Sequence, residues 1–267
     1  MKRYSLLLIF IAFNLLVNCS RNSSNNNPDE EVVIPKVLDK TPNLRNIGDS
    51  ANDILSNDNF TKLLIEIGYV EGFRPAQSAV NEFINFLKKH TFKEDIDVVF
   101  KELESPGEEK LELQKISELE LENRTAYNDG ETLAIYIYFA DAPSDDDNAE
   151  DDLVTLGAVY RNTSMVIYES TLRDLIKSAP SFLGTLEAAT LSHEFGHLFG
   201  LVNLGTTPVN PDHEDVDAPN HCNVDGCLML AALEFGNGMK KMLIAKNGII
   251  PELDAECLAD LRNNGGR

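Results

Sequence analysis

A chain of 267 residues with 44 acidic and 23 basic side chains carries a formal charge of −21, which repels phosphate backbones and anionic lipid head groups alike. Nucleic acid is thereby excluded as a natural partner, and the acidity reads as solubility outside the cell. At 43% hydrophobic residues there is apolar material for one packed core, and no repeat or second apolar span argues for more.

Lys2 and Arg3 form a basic start, Leu6 to Val17 an apolar run too short to span a bilayer comfortably, and Cys19 follows. This is the layout of an export signal. Leu16-Val17-Asn18-Cys19 resembles the lipobox of bacterial lipoprotein signals, with Asn18 where a small residue is usual. The resemblance implies removal of residues 1–18 and lipidation of Cys19. Ser20 to Pro28, mostly Ser and Asn, cannot bury enough apolar surface to order itself. Residues 19–43 therefore read as a disordered tether and 44–267 as one folded domain, starting between Asn43 and Asn59. The expected location is the bacterial cell envelope, with the lipid as sole membrane attachment and the chain a monomer.

Lys62 to Val70 is an apolar strand, and Ala76 to His90 sets Val80, Phe83, Ile84 and Leu87 at helical spacing. Ile96 to Leu103 reads as the next strand. Glu109 to Asn123 reads as an acidic helix with Leu113, Ile116 and Leu119 inward and its charges in solvent. Thr132 to Phe139 alternates, with Leu133, Ile135, Ile137 and Phe139 on one side; Leu153 to Tyr160 and Ser164 to Tyr168 form a further strand pair. The loop between Phe139 and Leu153 carries Asp145, Asp146, Asp147, Glu150, Asp151 and Asp152. Clustered carboxylates suit calcium, but this spacing fits no calcium loop, and a solvated loop is the plainer reading. Alternating strands and helices predict an α/β domain.

Thr185 can cap a helix with Glu187 in its first turn, and the run through Leu201 contains His193-Glu194-Phe195-Gly196-His197. Helical residues four apart are offset by only about 40° around the axis, so both imidazoles project from one face and reach one ion. Leu191, Phe195, Leu198, Phe199 and Leu201 make this a buried helix, where two His without an ion between them would be costly. Zinc suits neutral imidazole, and Glu194 stands beside the water that a catalytic zinc retains, able to act as general base.

His193-Glu194-x-x-His197-x-x-Gly200 resembles the active-site helix of the metzincin clan of zinc metallopeptidases. The resemblance implies a metzincin-like single catalytic domain, with a twisted mixed sheet, backing helices and a Met-turn for which Met229 is the candidate. Cys222-x-x-x-x-Cys227-Leu228-Met229 also resembles the archaemetzincin pattern of two Cys before that Met. With its lipoprotein start, the chain is similar to membrane-anchored metalloproteases of Bacteroidetes-type bacteria. Where a metzincin places its third ligand, three residues after the Gly, this chain has Asn203, a weak zinc ligand. His213 is favoured instead, because the loop beyond Asn203 can fold back and Glu214 or Asp215 can orient its ring. His221 and Asn203 remain alternatives.

Export permits one disulfide among Cys222, Cys227 and Cys257, with the pairing open. The second, structural zinc that archaemetzincins hold on Cys residues here is not expected, since Ala255 and Leu258 do not supply the missing Cys. The resulting expectation is a zinc endopeptidase acting on proteins or peptides. Its rival is a non-catalytic surface lipoprotein that binds peptide or glycan and keeps a structural metal, closed by four protein ligands.

Overall fold

The computed structural model describes residues 38–148, 154–233 and 238–267. The export signal, Cys19 and the tether up to Val37 lie outside them, as do Glu150, Asp151 and Asp152 of the acidic loop. The folded unit runs from Leu38 to Arg267. It takes in the last residues expected of the tether: Asn43 is fully buried, its side-chain amide donating to Ala134 O and Thr163 Oγ1.

After the short helix α1 (Ala51–Leu55) the elements follow in the expected alternation. They are β1 (Lys62–Val70), α2 (Gln77–His90), β2 (Asp95–Leu103), α3 (Leu113–Asn123), β3 (Thr132–Phe139), β4 (Gly157–Arg161), β5 (Ser164–Ile167) and α4 (Glu169–Leu175). The motif helix α5 (Leu183–Leu198), then α6 (Gly238–Ala245) and α7 (Ala255–Asn263), complete the unit. The five strands form one mixed sheet in the order β2-β1-β3-β5-β4, parallel throughout except for the antiparallel edge strand β4. Among the described residues, no helix is long and apolar enough to cross a membrane.

Period-two patterning decides what each face of the sheet carries. Leu133, Ile135, Ile137 and Phe139 of β3 join Ile65 and Ile67 of β1 in the core that α2 and α5 cover, where Phe83 meets Phe195 edge to face at 5.1 Å. The alternate residues Tyr136 and Tyr138 face a smaller cluster with Ile116 of α3.

Three local expectations are corrected. Glu120, assigned to the solvated face of α3, is fully buried between two arginines: Arg124 Nη1 donates to it at 2.8 Å and Arg161 Nη1 at 2.9 Å. Helix α5 starts at Leu183 with no side-chain cap from Thr185, because Pro180 opens a 3-10 turn that runs straight into it. The edge strand starts only at Gly157.

Glu187 of α5 is buried facing Glu169 of α4. Arg173 Nε donates to Glu169 at 2.6 Å, and the Ala76 amide donates to Glu187 at 2.8 Å. Burial, and then the Glu187 carboxylate, push the Glu169 carboxyl up to about 9. A carboxyl whose pKa is raised by folding holds its proton more tightly in the native state, so its contribution to stability is complete below the unfolded value and is lost as pH climbs to about 9. Glu169→Gln, which cannot ionise, is expected to gain in melting temperature relative to the parent as pH rises from about 5 to about 9. Parallel melting curves of the two proteins across that range would refute the assignment.

Candidate functional site

Helix α5 lies in the core, with every residue from Leu186 to Leu198 buried. It ends in a Schellman turn: the Gly200 amide donates to His197 O and the Leu201 amide to Gly196 O, with Gly200 at φ +72°. Chain reversal continues through Val202 and Asn203, both at positive φ, and Asn203 Nδ2 donates to Glu214 at 3.0 Å. Asn203 is thus a turn residue engaged with a carboxylate, the role its sequence neighbours Leu204 and Gly205 suggest.

The reversed chain returns His221 to the motif. The rings of His193, His197 and His221 pack with centroids 5.0, 5.6 and 5.1 Å apart, and one nitrogen from each lies within 4.8 Å of the others. His193 Nδ1 lies 2.6 Å from Leu228 O and His221 Nδ1 lies 3.1 Å from Pro219 O. A carbonyl has no proton to give, so each Nδ1 is the protonated nitrogen and each Nε2 carries the lone pair. That is the tautomer a metal requires, fixed in the way metal-bound histidines are usually fixed. The donor set therefore fits zinc.

His213, the favoured third ligand, does not join this group. Its Nε2 lies 2.8 Å from Asp260 of α7, and both residues are buried. Asp260, rather than Glu214 or Asp215, orients the ring. The physical reason is that a fully buried carboxylate requires a charged or donating partner, and the 3-10 turn Pro211–His213 delivers one. His90 stays at the end of α2, packed on Phe86.

Two glycines make room for the site. A Cβ on Gly157, at the start of β4, would meet Glu194 Cγ at 2.6 Å, so the edge strand lies directly against the carboxylate beside the histidines. A Cβ on Gly196 would meet Met229 Sδ at 2.2 Å, which puts Met229 beneath the helix within the His-Glu-x-x-His motif. Alanine in a helix gains about 1 kcal/mol over glycine, whereas overpacking a core costs about 1–3 kcal/mol. Gly196→Ala is accordingly expected to lower the urea midpoint, and Met229→Ala in the same chain to restore part of the loss. A Gly196→Ala protein more stable than the parent would show that Met229 gives way freely.

A second convergence was not expected. Cys222, Cys227, Cys257 and Asp254 each offer a ligand atom within 4.8 Å of the others, and the three cysteines are free thiols rather than disulfide partners. Cys222 Sγ donates to Asp254 Oδ2 at 3.0 Å, and Cys227 Sγ lies 3.7 Å from Cys257 Sγ. The neighbouring Cys222 and Cys257 sulfurs hold the Cys227 thiol well below its ordinary range. Three sulfurs and one carboxylate at mutual contact are a donor set of the closed, four-ligand kind that zinc takes. The signal missed in the sequence was Asp254-x-x-Cys257, in which an acid stands where a second Cys was sought. Among the described residues only these two groups converge; of the acidic loop, Asp147 accepts from the Thr155 amide at 2.7 Å.

No family model and no curated protein matches the chain. Among solved structures it is similar to the crystal structure of archaemetzincin from Methanopyrus kandleri, at 16% identity and a TM-score of 0.49, over 76% of this chain and 96% of that one.

Proposed function

We propose that the protein is a zinc-dependent endopeptidase in which His193, His197 and His221 hold the metal and Glu194 is the general base. The observation behind this reading is the group of three histidine nitrogens beside Glu194, against four donors in the sulfur group. Three protein ligands with a position left for water are the catalytic pattern, and four are the structural one. The rival, non-catalytic reading called for four ligands at the histidine helix, so the geometry favours the enzyme.

Zinc bound there supplies Lewis acidity, polarising a peptide carbonyl and making water a better acid. Glu194 accepts the proton of the attacking water and delivers it to the amine that leaves as the C–N bond breaks. The Nδ1–H bonds to Leu228 O and Pro219 O orient the two imidazoles. Strand β4 is an edge strand running past Glu194, and its outer backbone groups suit an extended peptide substrate. We read the Cys222, Cys227, Asp254 and Cys257 group as a second, closed zinc centre. Anchored through Cys19, the domain would act in the cell envelope.

The test is metal analysis and casein cleavage on the full chain beside His221→Ala and His213→Gln, the latter keeping a donor for Asp260. The parent is expected to hold about two zinc ions, one at each centre. His221→Ala should lose one of them together with cleavage, and His213→Gln should keep both. Loss in His213→Gln with retention in His221→Ala would reverse the ligand assignment. A fully loaded parent that cleaves nothing across a broad peptide library would favour the binding-protein reading.

A further inference from the structure

The two centres share one short arc of chain. His221 belongs to the histidine group and its neighbour Cys222 to the sulfur group. Seven residues on from Cys222, Met229 is the residue beneath α5, and its carbonyl accepts from the Cys222 amide at 2.8 Å, closing the arc on itself. Between Cys227 and Met229 sits Leu228, whose carbonyl fixes His193 and whose amide donates to Glu252 O at 2.9 Å, two residues before Asp254. One segment therefore supplies a ligand, the carbonyl orienting a second ligand, and the packing under the motif helix. Its other side supplies two of the four sulfur-group donors.

The remaining donors come from α7. Asp254 caps that helix, its Oδ1 accepting from the Cys257 amide at 2.8 Å while Oδ2 meets Cys222. A parallel strut joins the same parts: His213 spans Asp260 of α7 and Cys222, with Nδ1 at 3.8 Å from the sulfur, and its carbonyl accepts from the Asn223 amide. Backbone amides of Val224 and Met229 point at Cys222 and Cys227 sulfur, each at 3.4 Å. Backbone bonds fix the arc's own shape, while the sulfur-group side chains are joined to one another by thiol hydrogen bonds, which are weak. A cation held by the four donors would fix the arc from behind.

We propose that the two metal centres are thermodynamically linked: a cation held by Cys222, Cys227, Asp254 and Cys257 sets the positions of His221 and Leu228 and so tightens metal binding at His193, His197 and His221. The linkage rests on the metal reading of the histidine group. It runs through the chain's own peptide bonds rather than between the ions, which distinguishes it from two independent sites on one fold. By reciprocity, filling the histidine centre strengthens the sulfur centre by the same factor.

Cobalt and zinc titrations of the full metal-free chain test this, because thiolate ligation to cobalt produces a strong near-ultraviolet band that imidazole ligation does not. Asp254→Asn weakens the sulfur centre while retaining the helix cap, and Cys257→Ser removes one sulfur. Histidine-centre zinc affinity, read by competition with a chromophoric chelator, is expected to fall roughly 5- to 150-fold in both variants, the usual span of a coupling between sites. In His197→Ala, whose change lies off the arc, sulfur-centre affinity is expected to fall by a similar factor relative to the doubly loaded parent. Unchanged histidine-centre affinity in a variant that has lost its sulfur-to-cobalt band would overturn the linkage alone. A parent that shows the sulfur band but takes up no metal at the histidine centre would overturn both the linkage and the peptidase reading, and a parent with no sulfur band would overturn the linkage.

Discussion

Glu194→Gln is expected to lower kcat by about 10²–10⁴-fold while zinc content stays at the parental level. The substitution keeps the side-chain length and the fit against Gly157, so the helix and both neighbouring histidines keep their places. What it removes is the ability to accept a proton from water and pass it to the leaving nitrogen. Because the loss lies in the chemical step, kcat and kcat/KM should fall together. Cleavage assays with matched metal analysis check this. A variant within threefold of the parent would mean that another group is the base, and a variant without zinc would mean that Glu194 has a structural part in the metal site.

Glu120→Ala is expected to destabilise the domain by about 3–5 kcal/mol, the cost of leaving a buried ion without its partner. Glu120 receives Arg124, Arg161 and the Ser164 hydroxyl, and both Glu120 and Arg124 are fully buried. For a domain of this size that is a fall in melting temperature on the order of 10 °C, measurable by calorimetry. Replacing Glu120 and Arg124 together by apolar residues of similar volume should cost much less, because no lone charge remains. A small loss in Glu120→Ala, equal to that of the double replacement, would show that water reaches Arg124.

The central strands β1 and β3 were legible because they are buried on both faces. Lys62–Val70 and Thr132–Phe139 fall where the apolar pattern puts them, and the helix between β1 and β2 follows from four apolar positions at helical spacing. The motif helix was legible for a geometric reason, since two histidines one turn apart project from one face and can reach one ion. What stayed hidden depended on pairing between distant residues. Glu120 looks like any acid in an acidic helix until Arg161, on a strand 41 residues away, is seen beside it. His213 is held apart from the histidine group by Asp260, 47 residues beyond it, which no local pattern marks. Asp254 completes the sulfur group without being a sulfur residue, since a carboxylate is also a zinc donor.

The placing of β1 has a consequence for how the chain is made. Its neighbours are β2 and β3, both parallel to it, with Lys62 opposite Asp95 on one side and Thr132 on the other. Neither pairing closes through a hairpin, so during synthesis the apolar run Leu63-Leu64-Ile65-Glu66-Ile67 emerges long before its second partner exists. Until Phe139 has left the ribosome, one whole edge of that strand stands uncovered, a template for pairing with other chains. Glu66 at its centre is the one charge in the run, and in the finished fold it receives the Thr125 and Ala126 amides. The residue that anchors the loop before β3 is therefore the same residue that keeps the waiting strand soluble.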